Sequence, residues 1–174
     1  MHNPPNRRIR TRTYGGVGGE EPRGSPLSRS CDPAGIVYTP EYLNLFNGVI
    51  EDWYGDALAI PYHELVGTRR TGLGYAHVSA DFAKPSSMGD VLDVAVIVRD
   101  IGRSSVKLTV HAFKDGAECV RATFVTVTTS LVDHKSIGLP EDMRLALQTY
   151  QASCGESAGP APTNLRYGAS TLPA

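Results

Sequence analysis

The sequence predicts an α+β fold in which an antiparallel sheet wraps one long helix. Two observations carry this. Residues 39–55 hold one wide apolar stripe at helical spacing, and after residue 71 the apolar period changes to two and stays there until about residue 131. The helix is marked at its start by Thr39 as N-cap, Pro40 at the first helical position and Glu41 in the first turn. Tyr42, Phe46, Val49, Ile50 and Trp53 form the stripe, and Gly55 is the expected stop. Residues 56–71 read as a loop. Strands are expected at Tyr75–Ala83, Val91–Asp100, Ser104–Phe113 and Glu118–Leu131. The turns Asp100-Ile101-Gly102-Arg103 and Lys114-Asp115-Gly116-Ala117 are short enough to force antiparallel pairing. A last helix is expected from about Pro140 to Gln151.

The chain has 174 residues, 41% hydrophobic and 20% charged, with a net charge of −1. That describes one globular domain with loose ends, and no field strong enough to mark nucleic acid or membrane as a partner. Residues 1–27 read as a flexible arm, with an alternating segment at 8–14 that can supply an edge strand. Residues 28–152 are the expected domain and 153–174 a flexible tail. Arg23–Ser30, just before the domain's first turn, is a poor strand because of its Gly and Pro. Cys31, Cys119 and Cys154 are odd in number and lack metal-ligand spacing. The histidines lack it too, so neither a metal nor another cofactor is expected, and a reducing cytoplasm fits.

One acidic residue stands at the mouth of the apolar helix, in Asp32-Pro33-Ala34-Gly35-Ile36-Val37-Tyr38. Taken alone, Asp32 is either a turn former or a reacting carboxylate. This run, the Pro-capped helix ending in Glu51-Asp52-Trp53, and the ordered pieces Arg69-Arg70-Thr71-Gly72, Asp81-Phe82-Ala83-Lys84-Pro85, Gly89-Asp90 and Ile101-Gly102-Arg103-Ser104-Ser105 resemble the 4-hydroxybenzoyl-CoA thioesterase family of hotdog-fold proteins. The resemblance spans about residues 31–150. It implies hydrolysis of an acyl-CoA, with an aromatic, hydroxybenzoyl-like acyl group, in a homo-oligomer (dimer or tetramer) whose sites lie between subunits.

The resemblance also implies site residues. Asp32 is the nucleophile or general base, and the amide of Gly72, donated from the facing subunit, polarises the carbonyl. Tyr38 and Thr39 flank the substrate. Arg103, Ser104 and Ser105 serve the CoA phosphates or pantetheine, with Arg70 and Lys107 as weaker candidates. Where one branch of the family has a Tyr, this chain has Thr39. Glu51 is the fallback catalyst, and otherwise Glu51 and Asp52 are surface or interface acids. Two other functions stay open on the same fold: a non-catalytic acyl-CoA or acyl-carrier binding module, and a hydratase or dehydratase. The absence of His between residues 28 and 62 counts against the second.

Overall fold

The computed structural model describes residues 9–12, 35–87 and 90–154. The expectations for the arm (apart from 9–12), for the segment from Arg23 to Ser30, for Cys31 and Asp32, for Gly89 and for residues 155–174 of the tail lie outside these residues.

The elements run β1 (Ile9–Arg12), α1 (Thr39–Asp56), α2 (Tyr62–Gly67), β2 (Thr71–Phe82), β3 (Val91–Ile101), β4 (Ser105–Lys114), β5 (Ala117–Ser130) and α3 (Glu141–Ser153). One five-stranded sheet has the order β1-β3-β4-β5-β2, with every neighbour antiparallel. The α+β architecture is thus as expected, and the alternating segment near the N-terminus does supply an edge strand. The β4–β5 hairpin closes through Asp115 and Gly116, both at positive φ (50° and 78°), the geometry of a tight type I′ turn.

Three local expectations need correction. Tyr38, not Thr39, is the N-cap, and it makes no side-chain cap bond. Helix α1 runs through Gly55 to Asp56, because Gly55 keeps a negative φ and so does not end the helix in the left-handed way. The supposed loop holds α2, six residues with Leu65 as its one buried side chain, too short for a periodic pattern to declare itself.

The core lies between α1 and one face of the sheet. Phe46 is fully buried and meets Phe124 of β5 edge-on, with ring centroids 6.2 Å apart. Trp53 packs against Tyr150 of α3 at 5.1 Å. Leu92, Val94, Val96, Val98, Val106, Leu108, Val110 and Ala112 all face this core, following the period of two read from the sequence.

The two edges of the sheet are treated differently. On one side β1 pairs only with Val91–Val94 of β3, and α3 takes over beyond it. Tyr150 Oη donates to Val96 O at 2.8 Å and Gln151 Nε2 to Arg99 O at 3.1 Å. Strand β2 at the other side is twelve residues long, and Gly74–Ser79 are exposed. An uncovered edge of that length is a template for another strand.

Replacing Phe46 by Ala is expected to cost about 3–5 kcal/mol, because the surroundings of a fully enclosed ring relax only partly into the space it leaves. Urea denaturation checks this, the midpoint falling with an unchanged slope.

Candidate active site

The start of α1 is held by a short crossing segment. Ile36 bridges to Ser87, and Val37 N donates to Ser86 O at 2.8 Å. The Tyr42 hydroxyl and Ser86 Oγ lie 2.5 Å apart. Gly35, at φ +77°, turns the chain into this segment in a conformation that side chains resist. Asp32 precedes Gly35 by three residues and Thr39 by seven.

The first turn of α1 leaves a specific donor open. Pro40 has no N–H, and the Glu41 amide turns back to Tyr38 O at 2.9 Å. The Thr39 amide is therefore the first-turn donor without a backbone acceptor among the described residues. It sits at the positive end of an 18-residue helix. Tyr38 and Thr39 are both exposed.

Gly72 lies elsewhere. Along β5 the N–H and C=O of successive residues point alternately to the two neighbouring strands. Thr128 N donates to Ser104 O, and Leu131 N donates to Arg70 O, both at 2.8 Å. Thr128 therefore faces the β4 side, whereas Thr129 and Leu131 face β2. Gly72 is the partner of Thr129, so its amide points into the sheet. The expectation that the Gly72 amide polarises a carbonyl is corrected on this ground. The amides that point outward at this end of β2 are those of Thr71 and Leu73. A Cβ at Gly72 would lie 2.7 Å from Leu131 Cδ2 and 3.0 Å from Thr129 Oγ1, so the Leu131 side chain would have to turn aside for a larger residue.

Ser105 and Gly74 pair with the same residue, Val127, from opposite sides of β5. The candidate CoA residues and the start of β2 thus share one end of the sheet. The 102–105 turn is braced there: Gly102 N donates to Ser105 O, Leu139 N to Arg103 O, and Arg144 Nη2 to both Gly102 O and Arg103 O. With its carbonyl so committed, Arg103 presents an exposed side chain, and Ser104 and Ser105 are half-buried.

The start of α1 is at the far end. Tyr42 meets Phe82, the last residue of β2, with centroids 5.6 Å apart. Ten residue steps along β2, ~33 Å, separate Gly72 from Phe82. Within one chain the expected site residues form two groups, Tyr38–Thr39 and Gly72 with Arg103–Ser105.

A polar chain that the sequence reading missed runs between α1 and β2. Tyr75 Oη donates to Asn47 Oδ1 at 2.7 Å, and Asn47 Nδ2 donates to Glu51 Oε1 at 2.8 Å. Burial, then the charges around Tyr62 and Glu51, push the Tyr75 phenol up to about 12. Burial and the Glu51 charge also raise Tyr62. The i, i+4 spacing of Asn47 and Glu51 was readable, but nothing in the sequence tied it to Tyr75.

Against family models, residues 27–147 match the thioesterase-like superfamily. The chain belongs to this superfamily. Its activity class is accordingly that of a thioesterase. Among curated proteins none matches it. Its fold is similar to that of a gentisyl-coenzyme A thioesterase (19% identity, 81% of this chain and 99% of that one, TM-score 0.68). A 1,4-dihydroxy-2-naphthoyl-CoA thioesterase from Synechocystis shares 21% identity over 68% of this chain and 88% of that one, with a TM-score of 0.62. A thioesterase from Thermus thermophilus, complexed with coenzyme A and zinc, shares 21% identity over 87% of this chain and 98% of that one, with a TM-score of 0.60. These likenesses bear out the hotdog fold. No helix among the described residues is long and apolar enough to cross a membrane.

Gly72→Ala is expected to lower stability by no more than ~1 kcal/mol, because the added methyl meets the far end of the half-buried Leu131 side chain, which can turn aside. Thermal melts check the loss. Amide exchange checks the strand parity, with Gly72 N–H among the protected amides.

Proposed function

We propose that this thioesterase hydrolyses an acyl-CoA with an aromatic acyl group, at a site built from two copies of the chain. The observation that carries the reading is the separation just described. The helix start and the CoA-handling turn lie at opposite ends of a strand whose outer edge is open. Two such edges paired antiparallel about their middle set Thr71–Leu73 of one copy beside Ala80–Phe82 of the other. That brings the Arg103–Ser105 turn of one copy toward the Tyr38–Thr39 end of the other. The exposed apolar side chains Leu43, Tyr75 and Val78 belong to the two elements that would meet the second copy.

In this reading Asp32 supplies the carboxylate. As general base it takes a proton from water, and the resulting hydroxide adds to the thioester carbonyl carbon. As nucleophile it adds directly, giving a mixed anhydride that water then cleaves. In both cases the C–S bond breaks and CoA leaves as its thiol. The developing oxyanion is met by the Thr39 amide, which takes the role first expected of Gly72. The Arg103 guanidinium and the Ser104 and Ser105 hydroxyls serve the CoA phosphates or pantetheine, with Arg70 and Lys107 as further basic groups.

The names of two structural relatives, thioesterases for gentisyl-CoA and dihydroxynaphthoyl-CoA, support an aromatic acyl group. The third, complexed with coenzyme A, supports CoA as the carrier. The finer kinship with 4-hydroxybenzoyl-CoA thioesterases rests on the Asp32–Tyr38 run. Free thiols at the buried Cys119 and Cys154 fit a reducing, cytoplasmic setting.

The test is steady-state thiol release from a panel of acyl-CoAs. Asp32→Asn is expected to lower kcat by ~10²–10⁴-fold while leaving the affinity for acyl-CoA nearly unchanged. Wild-type kcat in Asp32→Asn would remove this carboxylate from the mechanism, and Glu51→Gln then becomes the variant to compare.

A further inference from the structure

We infer that the Tyr75–Asn47–Glu51 chain is the acyl-specificity element of this enzyme and that it selects acyl groups bearing a hydroxyl. The inference rests on the acyl-CoA reading above and deepens it.

The chain of donors has a direction. The Tyr75 proton goes to Asn47 Oδ1, and one Asn47 amide proton goes to Glu51 Oε1. What remains is mostly acceptor: Glu51 Oε2, which has no hydrogen bond among the described residues, and the lone pairs of the Tyr75 oxygen. Such an end receives a group that donates. A ring hydroxyl does so, whereas a hydrogen offers nothing and an acyl carboxylate would meet a like charge.

The surroundings fit a ring. Tyr75 is 40% exposed, and its own ring is supported by Phe124 at 5.3 Å. Leu43 lies one turn before Asn47 on α1 and is also exposed. Position agrees as well. Asn47 is eight residues beyond Thr39, ~12 Å of helix rise, and side chains on a helix lean back toward its start. A carbonyl at the Thr39 amide and a hydroxyl at Asn47–Glu51 therefore suit an aroyl group of one to two rings.

The experiment compares matched pairs of acyl-CoAs, one-ring and two-ring, with and without the ring hydroxyl. For the better-used pair, wild type should favour the hydroxylated member in kcat/KM by ~10–100-fold, the range for a hydrogen bond to a charged group. Glu51→Gln and Tyr75→Phe should bring that ratio close to one, and Asp52→Asn, an exposed neighbour, should leave it unchanged. A wild-type enzyme without the preference, or variants that keep it, would overturn the inference. A chain that merely braces α1 against β2 would lower the melting temperature and leave the ratio alone. Calorimetric Kd values for thioether analogues of the same pairs give a second readout. If no acyl-CoA is turned over, the hydrolytic reading fails, and the Kd ratio still decides this one.

Discussion

The structure depends on enclosing one helix. Helix α1 turns six large side chains inward (Tyr42, Phe46, Val49, Ile50, Trp53 and Tyr54), and a sheet must cover them all. Four long strands do this, which fixes their alternation and their order. Placing α1 over the sheet has two consequences for function. It sets the positive end of the helix beside the end of β2, and it leaves the outer edge of β2 uncovered.

The open edge organises the proposed site. A strand buried on both sides could not bring its two ends to different copies. Among the described residues strand β2 is paired on one side only, and the amides of Thr71 and Leu73 point away from β5 at the end where the 102–105 turn lies. The opposite edge of the sheet is closed by β1 and by the α3 side chains Tyr150 and Gln151. In the proposed dimer, association falls on the β2 side, and an antiparallel two-fold is the arrangement that would bring both halves of each site together.

Much of the fold was legible because periodicity reports burial directly. The alternation in Val91–Asp100 and Ser104–Phe113 located β3 and β4 to within a residue or so at most ends, and the Asp115-Gly116 turn was unambiguous. Boundaries were missed where packing overrode local preference. Gly55 stayed helical because its neighbours Trp53 and Tyr54 anchor the last turn, and α2 was too short to show a period. The site was half legible. Asp32 was singled out by a turn motif and a resemblance, and it lies outside the described residues. Gly72 is singled out by the resemblance, at the place of the family's carbonyl-polarising glycine, but amide direction is a property of strand pairing, which no single segment encodes. The link from Tyr75 to Asn47 and Glu51 joins residues 28 apart in sequence and could not be read from local pattern.

In the proposed arrangement one chain holds only half of each site. Sedimentation velocity over a dilution series, with thiol release measured on the same samples, tests it most directly. Activity per chain is expected to fall in step with the loss of the associated species as the protein dissociates. A stable monomer that turns over substrate at the undiluted rate would contradict it.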